Sequence, residues 1–292
     1  MLPFHIYDVF TDTAFQGNPL AIVENARALS TEQMAALARE FNLSETVFIL
    51  PPEDPANTAR VRIFTPDHEM PFAGHPTLGC AIYLASKGAG AAHIVLEENA
   101  GLVPVTITCD GDHVQGEFNA PVIPTARAID LPKAALAAAL GIAEDAIGPD
   151  QAHVVSGGPS FVQIGLIDAA ALTHAQPAEP AFSALAEAAG ATSVYVYAPG
   201  VETDYEARMF APLSGIAEDP ATGSATALFA AQLLANGALS DGRTDLALAQ
   251  GRDMGRLSHL SLSIDVAAGA ITAVRVGGCA VPVATGQIAP PR

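Results

Sequence analysis

A chain of 292 residues, half of them apolar, can bury one large core or two of ordinary domain size. Its 13 basic and 31 acidic side chains leave a net charge of −18, which repels phosphate backbones and anionic membrane surfaces, so neither nucleic acid nor a membrane is expected as a partner. A small anionic substrate is compatible with that field only where local donors overcome it.

The N-terminal stretch MLPFHIYDVFTDTAFQGNPLAIV alternates as strands do, with neither a basic start nor a continuous apolar run. No signal peptide is expected from it, and no uninterrupted apolar segment is long enough to span a bilayer, which makes the cytoplasm the expected compartment. Strands are predicted over 4–10 and 19–24, joined by a turn at Gln16-Gly17-Asn18-Pro19. Ser30 followed by Gln33 has capping-box spacing for a helix over 31–41 that stops near Asn42. Strands follow at 46–50 and 59–64, then a helix from Gly74 to Lys87 that Gly88 can cap, then strands at 92–97, 102–109 and 113–118.

The proline-rich stretch at 120–132 reads as a boundary, leading into a short helix in KAALAAALGI. Beyond it the order recurs: strands near 152–157 and 161–167, a helix over 180–189, strands at 193–198 and 205–211, a helix over 224–236, and strands near 246–250, 259–265 and 270–276. The expected domains are 1–124 and 125–280, with 281–292 crossing back to the first.

One pattern occurs twice within this order. RIFTPDHEMPFAGHPTLGCAIYL begins at Arg62 and ARMFAPLSGIAEDPATGSATALFAAQLL carries its matching arginine at Arg208, so that Gly74-His75 aligns with Gly223-Ser224. Each copy reads as a strand, a tight polar turn and an apolar helix, and the duplication implies two similar domains with a site between the two polar turns. The helices LGCAIYLAS and ALFAAQLLA have almost no polar face, as expected of helices wrapped by curved sheets; deep burial in another α/β core fits that composition equally well, and the repetition favours the wrapped form.

The turns at 72–77 and 219–226 place small and polar residues at helix N-termini, where unpaired N–H groups and the helix dipole suit a carboxylate. Ser224 reads equally well as a plain N-cap, Asp219 before proline as a turn residue and His75 as a partly buried structural histidine. Glu45, in FNLSETVFIL, stands at the mouth of an apolar strand; such surroundings raise a carboxyl pKa and suit a group that takes a proton and returns it, although a surface glutamate after a helix end reads the same way. Cys80, Cys109 and Cys279 are odd in number and scattered, so neither a disulfide nor a zinc site is expected; no P-loop or dinucleotide fingerprint is present, and no cofactor is expected.

AFQGNPLAIV, FNLSETVFIL, RIFTPDHEMPFAGHPTLG, EDPATGSAT and QGRDMGRLSHL together resemble the PhzF-like phenazine-biosynthesis proteins, relatives of diaminopimelate epimerase, in order and across essentially the whole chain. The resemblance implies an α+β fold of two domains, each a curved, mostly antiparallel sheet around a central helix, with the active site in the interdomain cleft and a homodimer as the usual assembly. It implies that Glu45 carries a proton between carbons of a dihydro-hydroxyanthranilate-type amino-carboxylate. Gly74, His75, Gly223 and Ser224 would hold the carboxylate and ring, and Asp219 the amino group. The epimerase branch uses two thiols, whose matching positions here are Ala73 and Thr222, so a two-thiol epimerase is not expected. An isomerase acting through one carboxylate is the expected activity; a non-catalytic small-acid binder and a thiol-independent epimerase using Glu45 and His75 are the alternatives.

Overall fold

The computed structural model describes residues 1–88, 92–110 and 113–291, which divide into a unit of Met1–Pro121 with Gly277–Arg292 and a unit of Val122–Val276. In the first unit β1 (Leu2–Val9) pairs antiparallel with β2 (Asn18–Val23), and the chain then enters α1 (Thr31–Phe41). Ser30 and Gln33 exchange the reciprocal bonds of a capping box, and Asn42 in the left-handed region ends the helix. β3 (Glu45–Leu50) lies parallel to β2, and β4 (Ala59–Phe64) antiparallel to β3. The two-residue β5 (Glu69–Met70) folds back on β4 before α2 (Gly74–Lys87), and β6 (His93–Glu98) then runs parallel to β4. β7 (Gly101–Asp110) and β8 (His113–Asn119) complete the meander.

The second unit opens with β9 (Thr125–Ala128), α3 (Lys133–Leu140) and β10 (His153–Ser156). β11 (Ser160–Gly165) is followed by α4 (Ala169–His174), α5 (Ala181–Ala189) and β12 (Val194–Pro199). Then come β13 (Tyr205–Ala211), β14 (Ile216–Asp219), α6 (Gly223–Ala235), β15 (Gly242–Gln250) and β16 (Ser258–Ala267). The turn at Ala268-Gly269, with φ of 51° and 74°, leads into the 19-residue β17 (Ala270–Ile288). Its C-terminal half pairs with β1, Val9 opposite Ala280 and Leu2 opposite Ile288, and it also pairs with β8, which rounds off the strands of the first unit.

The two units repeat one pairing scheme. From β1 through β2, β3, β4, β6 and β7 the successive pairs run antiparallel, parallel, antiparallel, parallel, antiparallel. β10, β11, β12, β13, β15 and β16 follow the same order. The apolar helices lie within these sheets: α2 packs on β1, β2, β3, β6, β7 and β8, and α6 on β9, β10, β11 and β16. Enclosure on several sides explains helices without a polar face; Leu78, Ile82, Leu228, Phe229 and Leu233 are all buried, each such side chain contributing about 1.5–3 kcal/mol. Gly79 lets α2 approach the sheet, because a Cβ there would stand 2.6 Å from the Val9 side chain and 2.7 Å from that of Leu20.

Several sequence expectations need correction. The stretch at 120–132 contains β9, whose proline-free TARA segment pairs with β10. The turn in each repeat is a hairpin, because β5 and β14 fold back on β4 and β13. α4 was not expected; Asp168 caps it through the Ala171 N–H at 2.8 Å. Gly88 ends α2 in extended backbone, not in the left-handed region. No helix of the described residues is long and apolar enough to cross a membrane.

Candidate active site

The repeated arginine explains how each hairpin is set. Arg62 on β4 donates to both carboxylate oxygens of Glu69 on β5 at 2.7 and 2.6 Å, and Arg208 on β13 donates to both oxygens of Glu218 on β14 at 2.8 Å. The guanidinium holds the Glu69 carboxyl below the usual carboxylate range, chiefly through these bonds. Arg208 is the more deeply committed of the two, since its Nη1 also donates to the carbonyls of Leu172, Thr173 and Ala175 at 2.8–3.0 Å. Each clamp aims the hairpin's exit at the start of a central helix.

In the first unit that start is Gly74-His75, and the strand beside it presents Glu45. Glu45 is the first residue of β3, opposite Leu20 of β2, and its Oε2 lies 3.5 Å from His75 Nδ1. Burial pushes the His75 pKa down to about 3, against a small upward pull from the Pro19 carbonyl, so the imidazole is neutral and the contact is not an ion pair. The α2 N-cap, Ala73, offers no side-chain acceptor to the first N–H groups, and Pro76 in the first turn has no N–H. With no cap side chain to accept from them, the Gly74 and His75 amides at this helix start suit a ligand acceptor.

In the second unit, Asp219 ends β14 and is 7% exposed. Its Oδ2 accepts from the Thr222 hydroxyl at 2.5 Å. Gln250, the last residue of β15, ties the same turn from the other side: Nε2 donates to the Asp219 carbonyl at 2.8 Å and to Thr222 Oγ1 at 3.0 Å, while Oε1 accepts from the Thr222 N–H at 3.1 Å. Thr222 is the α6 N-cap residue but spends its hydroxyl on Asp219, so α6 too begins without a side-chain cap. Ser224 is the second residue of the helix; the plain N-cap reading is overturned by the position of Thr222. Gly251, at φ +75°, is required there because a Cβ would stand 2.6 Å from the Pro220 carbonyl oxygen and 2.5 Å from that of Arg256.

The structure thus brings Glu45, Gly74 and His75 together in the first unit, and Asp219, Gly223 and Ser224 into one turn of the second. Three further polar residues emerge that sequence reasoning passed over. Gln250 stood in the QGRDMG segment, but an amide among glycines gives no sign of which turn it ties. Thr77 and Glu98 form a buried pair, Thr77 Oγ1 lying 2.7 Å from Glu98 Oε1. Glu98 lies one residue past the strand expected over 92–97, in the polar tract EENAG, yet it is buried. Among the described residues no three His, Cys, Asp or Glu side chains are grouped to hold a metal ion.

Residues 7–286 match the family model described as phenazine biosynthesis-like protein. An uncharacterized isomerase of Mesorhizobium japonicum is 41% identical, with 97% of each chain covered. The trans-2,3-dihydro-3-hydroxyanthranilate isomerase of Pseudomonas aeruginosa is 36% identical over 97% of each. The crystal structure of a Bacillus anthracis phenazine biosynthesis protein of the PhzF family superposes with a TM-score of 0.88 over 99% of each chain at 24% identity, a likeness of fold. By its paired hairpin-helix units and by these matches along nearly its whole length, the chain belongs to the PhzF-like phenazine biosynthesis family.

Proposed function

We propose that this isomerase moves a proton between carbons of a small cyclic amino-carboxylate of the dihydro-hydroxyanthranilate type, with Glu45 as the single proton carrier. The observation that carries the reading is the Glu45 carboxyl 3.5 Å from an imidazole that stays neutral, beside an uncapped helix start. The Glu45 carboxylate removes a proton from one ring carbon, the C–H electron pair enters the conjugated system, and the double bond shifts. The resulting acid then returns the proton to a second carbon, so atoms and charge balance and no cofactor is consumed. The Gly74 and His75 amides offer donors to the substrate carboxylate, where charge accumulates in the intermediate. Gly223 and Ser224 offer a second set, and Asp219 suits the ammonium group.

A neutral His75 supports this reading over a two-base epimerase. An imidazole that protonates only near pH 3 is a poor base at neutral pH, and the thiol positions hold Ala73 and Thr222. The test is turnover of trans-2,3-dihydro-3-hydroxyanthranilate in deuterium oxide. The wild type turns the compound over, with deuterium entering the product where the Glu45 acid exchanges with solvent before giving up its proton, and Glu45→Gln loses ~10³-fold in kcat with the fold intact. Wild-type turnover by that variant overturns the role of Glu45; binding without turnover by the wild type points to a sensor.

A further inference from the structure

Thr77 presents a counting problem in protons. Its Oγ1 lies 2.8 Å from the Ala73 carbonyl oxygen and 2.7 Å from Glu98 Oε1, yet a hydroxyl carries one hydrogen. Were Glu98 ionised, both neighbours would be acceptors and one contact would lack a proton. With Glu98 protonated, its O–H donates to Thr77 Oγ1, which donates to the Ala73 carbonyl, and every bond is made. The surroundings agree: Glu98 is 8% exposed, and its Oε2 has no hydrogen-bond partner among the described residues. An ionised carboxylate so placed would be heavily under-solvated.

The second unit supplies an independent observation. The parallel pairs place Ala59 opposite Leu96 and Tyr205 opposite Leu248, and the repeat equates Ala59 with Tyr205. Glu98, two residues past Leu96, therefore occupies the position of Gln250, two residues past Leu248. Gln250 tethers Thr222, the N-cap residue of α6, as Glu98 acts through Thr77 on Ala73, the N-cap residue of α2. A glutamine is the permanent neutral counterpart of a protonated glutamate.

We propose that Glu98 is a positioning residue: as a neutral acid it locks the Ala73-Gly74 peptide through Thr77, and its ionisation releases that peptide and weakens binding of the substrate carboxylate. The peptide is planar, so a carbonyl held by Thr77 Oγ1 and, at 3.1 Å, by the Thr77 N–H fixes the Gly74 N–H in the opposite direction. An ionised Glu98 draws the Thr77 hydroxyl to itself and adds a buried negative charge near the helix start. Burial sets the Glu98 pKa at about 8, the Thr77 bond lowering it only in part. Helix α2 and strands β4 and β7 pack on β6. Their titratable groups are His75, Cys80, Tyr83 and Lys87 on α2 and Arg60 and Arg62 on β4, the two arginines paired with Glu53 and Glu69; β7 faces Glu98 with Gly101. Burial, and after it the nearby charge of an ionised Glu98, pushes the Cys80 thiol far above the physiological range, so it stays neutral throughout.

The inference rests on the Gly74 end of α2 holding a carboxylate, and two readouts separate its failure from the failure of that reading. The first needs no ligand: amide resonances of Gly74 and Thr77 in the free wild-type protein, followed from pH 6 to 9.5, are expected to titrate together near pH 8, and to stay flat in Glu98→Gln. The second is KM for trans-2,3-dihydro-3-hydroxyanthranilate, expected to rise ~10-fold in the wild type by one pH unit above that midpoint as the competent fraction falls, with kcat little changed. In Glu98→Gln, KM is expected to keep its low-pH value across the range, and in Thr77→Val to be raised at every pH. Wild-type amides that do not titrate, or a Glu98→Gln protein that titrates as the wild type does, overturn the proposal. Titrating amides with a flat wild-type KM overturn its link to substrate binding, and titrating amides in a protein that does not turn the compound over overturn the substrate reading alone.

Discussion

The His75 imidazole and the Glu45 carboxyl lie 3.5 Å apart without forming an ion pair, because burial holds the imidazole neutral down to about pH 3. A neutral histidine places no positive charge beside the Glu45 carboxyl.

His75 should not titrate near neutral pH. Its ring carbon resonances should stay constant from pH 5 to 8, and kcat/KM should show no inflection from His75 there. His75→Gln should lower kcat/KM by ~10²-fold, as loss of a positioned hydrogen-bonding group does. A ring titration near pH 6.5 would restore it as a candidate base.

Stability should follow two opposed windows. His75, depressed from 6.5 to about 3, contributes stability that is present above pH 6.5 and lost as pH falls toward 3. Glu98, raised from 4.5 to about 8, contributes stability that is present below pH 4.5 and lost as pH rises toward 8. Each slope is at most about 1.4 kcal/mol per pH unit, and the two offset one another between 4.5 and 6.5. Denaturant midpoints across this range should show Glu98→Gln lacking the alkaline decline of the wild type.

The two repeated arginines should differ in worth. Arg208→Met strands three carbonyls and the Glu218 carboxylate and should cost about 3–5 kcal/mol. Arg62→Met removes a more exposed pair and should cost about 1 kcal/mol. Urea unfolding of the two variants checks the order, and equal losses would contradict the deeper role assigned to Arg208.

Thiol reagents should leave turnover intact. Cys109 is exposed and open to alkylation, Cys80 is buried, and burial followed by the neighbouring Asp12 raises the Cys279 thiol pKa. Iodoacetamide should label Cys109 with no loss of activity; inactivation in step with labelling would reopen thiol chemistry.

Gly251→Ala should distort the Asp219 turn, because the new Cβ meets two carbonyl oxygens at 2.5 and 2.6 Å where φ is +75°. A loss of about 2 kcal/mol or more is expected, with KM rising, whereas Gly158→Ala, at φ +102° with nothing within 4 Å, should cost about 1 kcal/mol and leave KM alone. A similar KM for both variants would contradict a role for that turn in binding.

Much of this arrangement was legible in the sequence because it is written twice. Arg62 and Arg208 mark the same hairpin, and the two apolar helices reveal their enclosure by lacking a polar face. Ser30 and Gln33 gave α1 its start through spacing alone. What escaped depends on contacts distant in the chain. β9 is a strand because β10 pairs with it, α4 is short enough for tertiary packing to decide it, and Glu98 looks solvated until β6 turns it inward toward Thr77. Ser224 misled because a serine before an apolar helix is the usual cap, while the true cap position spends its hydroxyl on Asp219.

The long β17 also sets an order of events during synthesis. Eight of its last nine residues are the partners of β1, Val283 being skipped at a register shift, so the first strand made must wait for the last one before its ladder can close. While the ribosome is still working, the β1 edge is open, and Val9 and Phe10, fully buried in the finished protein, depend on a segment not yet translated. A chain cut short before residue 280 would therefore be expected to leave a nascent N-terminal half that chaperones retain, even though all the residues from Glu45 to Glu98 had already been made.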